Sequence, residues 1–127
     1  MVRWFTRESH KIVATLYPTN IMLNKPGADI AKGEYAALLG IDEEKKEILI
    51  RLLNQDEYES KAHPDGEVFV LSGGKSYVRV SSTDFMNAVS SSFGLDFGKS
   101  GRKYSCSYDE SGKVFIVELK QEVGENG

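Results

Sequence analysis

The sequence has very few of the residues from which disulfides and metal sites are built. Cys106 is the only cysteine in 127 residues, so neither an internal disulfide nor a cysteine-based zinc cluster can form within this chain. The two histidines, His10 and His63, have no further ligand residues at a recognised metal-binding spacing. We therefore expect no metal site, and the single cysteine favours a reducing, intracellular setting.

Long apolar runs are also missing. No stretch approaches the ~20 apolar residues that a membrane-spanning helix needs. The start of the chain, MVRWFTRESHK, is basic, but the long apolar segment of a signal peptide does not follow it. We expect a protein without a membrane partner that resides in the cytoplasm.

The sequence contains fragments that resemble catalytic motifs, but each lacks a residue that the motif requires. GGKS at Gly73 to Ser76 and GKS at Gly98 to Ser100 resemble the end of a phosphate-binding loop, but the leading glycine falls on Phe69 and Phe93. The serine-rich stretch VSSSFG lacks the Gly-x-Ser-x-Gly pattern of a nucleophile elbow. Cys106 alternates with tyrosines in a predicted strand, which favours a packed thiol over a nucleophile. We expect no enzyme, no catalytic residues and no cofactor.

An excess of basic residues, the usual sign of nucleic-acid binding, is absent as well. The net charge is −3, from 16 Lys and Arg against 19 Asp and Glu, which disfavours DNA as a partner. The distribution is uneven, however. Arg3, Arg7 and Lys11 near the start are opposed only by Glu8, whereas the tail QEVGENG is acidic.

What the chain does contain is an ordinary globular composition and an internal similarity. Hydrophobic residues make up 40% and charged residues 28%, which predicts one domain over residues 1–127 with one core. Setting Asp42 on Asp109 aligns eleven positions without a gap as Asp-Glu-x-x-Lys-x-apolar-apolar-apolar-charge-Leu. The aspartates suit turns, because their carboxylates accept backbone N–H groups, and Gly112 would tolerate a positive φ.

Each half of the sequence predicts the same order of elements. In the first half, the pattern indicates a strand from His10 to Tyr17, a return strand at IMLN, a short helix at KPGADIAKG and a hairpin ending in ILIRLL. The polar segment 54–66 is typical of a linker.

The second half predicts two strands, a helix and a final hairpin. Ser82 or Thr83 can cap the helix DFMNAVSSSFGL, which Gly94 and Gly98 close. The expected fold is α+β and mostly β, with two pseudo-symmetric ββαββ halves at about 10–53 and 67–120 around one core. Six aligned residues are predicted to face inward: Ile48, Ile50, Leu52, Phe115, Val117 and Leu119.

The segment TNIMLNKPGADIAKGEYAALLGIDEEKKEILIRLL resembles the AbrB/MazE/SpoVT swapped-hairpin DNA-binding family. The segment from Tyr77 to Lys120 is similar in order, with a longer helix. In that family two units interlock into one small barrel, usually from two chains. The resemblance implies that this single chain provides both units of a swapped-hairpin-like barrel, as an internally duplicated protein.

Two functions are open at this point. The resemblance implies an AbrB-like DNA-binding transcriptional regulator or antitoxin. Basic residues would then contact phosphates, and affinity would fall steeply with salt. The candidate contacts are Arg3, Arg7, Lys11, Lys25, Lys32, Arg79, Arg102 and Lys103.

The charge balance favours the other function, a non-enzymatic interaction module of a mobile element or phage. Such a module would hold a protein partner, or self-associate, through an exposed strand edge or through Trp4 and Phe5. Trp4 and Phe5 lie between Arg3 and Arg7. Their rings either fold back over the core or are presented to a partner, because burial in one of these ways is more stable than exposure to water.

Overall fold

The computed structural model describes residue 2 and residues 11–123 of the chain. Among these residues the fold is α+β and mostly β. The strands are β1 (Ile12–Leu16), β2 (Asn20–Leu23), β3 (Ala36–Asp42), β4 (Glu47–Leu53), β5 (Val68–Val70), β6 (Ser72–Gly73), β7 (Val78–Ser81), β8 (Arg102–Asp109) and β9 (Val114–Glu122). The helices are α1 (Lys25–Ala31), α2 (Gln55–Glu59) and α3 (Thr83–Phe93), with a 3-10 turn at Asp65–Glu67.

The strands form a single antiparallel sheet that curls into a nearly closed barrel. Their order is β5-β3-β4-β9-β8-β1-β2-β7-β6. The two ends of this order, β5 and β6, are consecutive in the chain and are joined by Leu71. β5 pairs with residues 36–38 of β3 alone, and β6 with Val78 and Arg79 of β7 alone, so residues 39–42 and 80–81 have a strand partner on one side only in the described part of the chain.

Alternation along the strands sends every second side chain into the barrel. The six residues predicted to face inward, from Ile48 to Leu119, are all buried, at 8% exposure or less. The neighbouring strands contribute Ala14, Leu16, Ile21 and Tyr104, each at 1% exposure or less. The core is therefore the barrel interior, as expected when one face of each strand is apolar.

Helix α3 begins and ends where the sequence predicts. The Ser82 hydroxyl accepts a bond from the Phe85 N–H at 3.1 Å, and Gly94 ends the helix with φ of 64°. Met86 and Val89 are buried on the inward side. None of the helices in the described residues is long and apolar enough to cross a membrane.

The segment 54–66, predicted as a linker, contains the short helix α2. Asn54 Oδ1 accepts a bond from the Glu57 N–H at 2.8 Å, and Glu57 Oε1 accepts one from the Asn54 N–H at 3.2 Å. This reciprocal capping box starts the short helix α2. The predicted connector thus contains one short helix that its polar composition did not indicate.

The hairpins β3–β4 and β8–β9 turn in the same register. Asp42 lies opposite Glu47, and Asp109 lies opposite Val114. The Asp42 and Asp109 carboxylates accept turn N–H groups, as predicted. The positive φ falls on Lys46 (55°) and Lys113 (57°), not on Gly112, because the turn places its left-handed residue at its last position.

Candidate nucleic-acid interface

Charge is segregated around the barrel. Residues 11–33 and 68–105 contain eight Lys and Arg but three Asp and Glu, whereas residues 34–67 and 106–123 contain six Lys and Arg but fourteen Asp and Glu. The first set forms β1, β2, β5, β6 and β7, with α1, α3 and the start of β8. We call it the basic side, and the second set the acidic side. Within the basic side β2 pairs with β7, and within the acidic side β4 pairs with β9.

Six of the candidate phosphate contacts lie in described residues, and all six belong to the basic side. Lys11 precedes β1, Lys25 opens α1 and Lys32 follows it, whereas Arg79 lies on β7 and Arg102 and Lys103 begin β8. The remaining candidates, Arg3 and Arg7, lie outside the described residues, as do Trp4 and Phe5.

Two of the six cations are already paired. Lys25 Nζ lies 3.0 Å from Asp29 Oδ1, and Arg102 Nη2 lies 2.9 Å from Glu122 Oε1. The bond raises the pKa of Arg102 and lowers the pKa of Glu122, so both groups stay charged. The other four form no ion pair within residues 11–123.

A groove of about 640 Å³ lies between α1 and the loop that joins β6 to β7. Lys25, Lys32 and Lys75 line it, together with Tyr77 and the backbone of Gly73 and Gly74. Asp29 and Glu34 line the groove as well, and they are paired with Lys25 and Lys113. Lys32 and Lys75 form no ion pair within residues 11–123, so these two cations are the ones available to an anionic ligand.

A tight turn presents Lys75 to this groove. The Gly74 N–H donates to the Tyr77 carbonyl at 3.0 Å. Gly73 has φ of 138°, and a Cβ built on it would lie 2.5 Å from the Tyr77 carbonyl oxygen, so the turn requires glycine. The sequence does predict this turn, but it does not single out Lys75 or Tyr77, because their approach to α1 depends on the tertiary fold.

Arg79 lies at the centre of the basic side. It faces outward on β7 opposite Met22 of β2, and its guanidinium carbon lies 5.2 Å from the centroid of the Tyr77 ring. Its Nε atom is buried and has no hydrogen-bond partner among the described residues. Stacking on an aromatic ring holds a guanidinium in one orientation while leaving its outer N–H groups available.

The other groups weighed for chemistry are one thiol and two histidines. Cys106 points into the barrel, and burial raises the pKa of its thiol to about 12, so the nucleophilic thiolate is scarce near neutral pH. His63 lies in the segment 54–66, and His10 lies outside the described residues. No group of three or more His, Cys, Asp and Glu within residues 11–123 could hold a metal ion.

Comparisons of the chain with protein-family models, with curated proteins and with solved structures found no match. The function is therefore inferred from the fold and from the distribution of charge on it.

Proposed function

We propose that this protein is a non-enzymatic duplex-DNA-binding module, built as a single-chain version of a swapped-hairpin barrel. The basic side contacts the phosphate backbone, with Arg79 at its centre and Lys32 and Lys75 beside it. The observation that carries the proposal is the charge segregation: in a chain with a net charge of −3, residues 11–33 and 68–105 have an excess of five positive charges, and their strands β1, β2, β7 and β6 are neighbours in the sheet. Such a patch attracts polyanions although the whole molecule is acidic.

Reciprocal hydrogen bonds support the swapped-hairpin architecture. The Leu52 N–H donates to the Lys113 carbonyl at 2.8 Å, and the Leu119 N–H donates to the Lys46 carbonyl at 2.9 Å. Leu52 and Leu119 are equivalent positions in the alignment of the two halves, and so are Lys46 and Lys113. The last strand of each hairpin thus donates a backbone hydrogen bond to the turn of the other hairpin.

The register between β4 and β9 supports the same symmetry. Leu49 lies directly opposite Ile116, and these two residues are equivalent in the alignment. A pseudo-twofold axis through this pair would exchange the halves 10–53 and 67–120. We infer that the chain arose by internal duplication of a ββαββ unit, with 54–66 as the connector.

The geometry of the cations is suited to a phosphate backbone. Arg79 lies on the barrel surface, whereas Lys32 and Lys75 project from segments on either side of the groove. Phosphate contacts from such a set give sequence-independent affinity that weakens as salt rises. A role as transcriptional regulator or antitoxin would add sequence preference through side chains that reach base edges.

A fluorescence anisotropy titration with a labelled random duplex tests the proposal. We expect a dissociation constant of about 10⁻⁴–10⁻⁶ M that weakens by more than tenfold between about 50 mM and about 200 mM salt. The double variant Lys32→Glu/Lys75→Glu should reduce affinity at least tenfold, because it places negative charge on both walls of the groove.

The matched control is Lys45→Glu/Lys120→Glu. It changes the net charge by the same amount, at two exposed lysines on the acidic side. We expect it to lower affinity far less. Equal losses in the two double variants would mean that total charge acts without an interface, and no binding at about 1 mM protein would refute the proposal.

A further inference from the structure

The outer face of the β4–β9 pair carries apolar side chains that do not belong to the core. Leu49 and Ile116 lie opposite one another at its centre, and Gly40 of β3 lies beside Leu49. Both side chains point away from the barrel, because the neighbouring residues Ile48, Ile50, Phe115 and Val117 point into it. Leu49 and Ile116 are half-buried and lie outside the core cluster.

Like charges meet on one side of this apolar centre. Glu47 and Glu118 lie directly opposite one another on β4 and β9. Neither forms an ion pair with any described residue. Carboxylates paired across two strands repel one another, so this arrangement favours a cation supplied from outside the chain.

A cation lies on the other side of the same centre. Arg51 is two residues beyond Leu49 on β4 and is exposed. The hydrogen bond from the Asn54 N–H is the main cause that lowers the pKa of Glu57, and the charge of Arg51 adds to it, but Glu57 Oε1 is bound by Lys113 Nζ at 3.3 Å. The guanidinium of Arg51 forms no ion pair within residues 11–123.

We propose that this face binds a second copy of the chain. A twofold axis lying over the Leu49–Ile116 pair and running across the strands would reverse the strand direction in the partner. Each Arg51 would then face the carboxylates Glu47 and Glu118 of the other copy, and the apolar centres would meet. A second copy is the occupant that fits, because a twofold contact requires one surface to carry both the cation and its complementary anions.

The proposed dimer does not depend on DNA binding. The β4–β9 pair and the β2–β7 pair lie on opposite sides of the barrel, since two strands separate them in one direction around the sheet. Dimerisation would therefore leave both basic sides exposed and facing away from one another. The apolar centre is small, so we expect a weak dimer with a polar rim.

Sedimentation analysis of the full chain without nucleic acid tests this proposal over a range of concentrations. We expect reversible dimerisation with a dissociation constant in the micromolar range. Arg51→Glu should raise that constant at least tenfold, and so should Glu47→Lys/Glu118→Lys, because each variant opposes like charges across the axis. An equimolar mixture of these two variants should form a heterodimer, because every facing pair is then of opposite charge.

Lys99→Glu is the control, because it makes the same change of charge as Arg51→Glu at an exposed position of the basic side, between α3 and β8. It should leave the association unchanged, and circular dichroism should show that every variant is folded. A chain that stays monomeric up to hundreds of micromolar would refute the dimer. Failure of the two charge variants to associate with one another would refute this interface.

Discussion

The two long hairpins have the same turn geometry but different interiors. β3–β4 and β8–β9 share their register beside the turn and the left-handed lysine at its end, but β8–β9 also shifts register between Tyr104 and Cys106. At corresponding inward positions, however, the first hairpin has Ala37 where the second has Tyr104, and it has Ile48 where the second has Phe115. The backbone pattern therefore does not dictate how the volume of the core is shared.

The second hairpin supplies the two largest fully buried side chains. Tyr104 and Phe115 are at 1% and 0% exposure, and the Phe115 ring lies 4.8 Å from that of Tyr108. Ala37 is also fully buried, so the first hairpin leaves room that the larger side chains occupy. Small residues facing large ones allow a barrel to reach native packing density with unequal halves.

The largest expected effect comes from removing that bulk. Phe115→Ala should lower the free energy of unfolding by about 3–5 kcal/mol, because the cavity cannot close and the ring contact with Tyr108 is lost. Urea unfolding followed by circular dichroism measures the change. Ile48→Ala at the corresponding position of β4 should cost less. An equal or larger loss at Ile48 would show that the two hairpins share the core evenly.

A second difference between the hairpins is sensitive to pH. Cys106 on β8 corresponds to Leu39 on β3, and burial raises the pKa of the Cys106 thiol to about 12. In the unfolded chain the thiol loses its proton above about pH 8.5, whereas the folded protein retains it. The unfolded state therefore binds fewer protons, and stability falls as pH rises by about 1.4 kcal/mol per unit.

Cys106→Val isolates this contribution, because every other titrating group is common to both proteins. Urea unfolding between about pH 9 and about pH 11 should show a steeper loss of stability in the natural chain than in the variant. Parallel pH profiles would mean that the folded thiol ionises as readily as an exposed one, and that it is not sealed in the barrel.

Much of this fold follows from local sequence. The strands, the short helix α1 and the capped helix α3 follow from periodicity and from Ser82 and Gly94, since these signals act within a few residues. The helix α2 could have been found as well, because Asn54 and Glu57 have the spacing of a capping box. The positive φ of Lys113 could not have been predicted, because the neighbouring Gly112 is the residue type that usually adopts a positive φ.

The candidate interface depends on information that local patterns do not contain. The candidate basic residues Lys25 and Lys32 lie far from Arg79 in the sequence, and the net charge of the whole chain is −3. They gather only because β2 pairs with β7 in the sheet. Long-range strand pairing decides which charges share a surface, so composition alone points away from the basic side.

The smallest expected effect concerns the lysines that end the two turns. Lys113 Nζ lies 2.9 Å from Glu34 Oε2 and 3.3 Å from Glu57 Oε1, and the bond to Glu34 raises the pKa of Lys113. Lys46 is exposed and forms no ion pair in the described part of the chain. Both have the same backbone conformation, so substituting each by Met removes the charge and leaves the turn strain unchanged.

Lys113→Met should therefore destabilise the protein by about 1 kcal/mol, and Lys46→Met by a few tenths at most, because a partly buried and hydrogen-bonded cation contributes more than an exposed one. Thermal unfolding of both variants at low and high salt measures the difference, which should narrow as salt screens the pair. Glu34→Gln combined with Lys113→Met completes a double-mutant cycle. If the two losses add without coupling, the bond does not stabilise the second turn, and the hairpins differ only in their interiors.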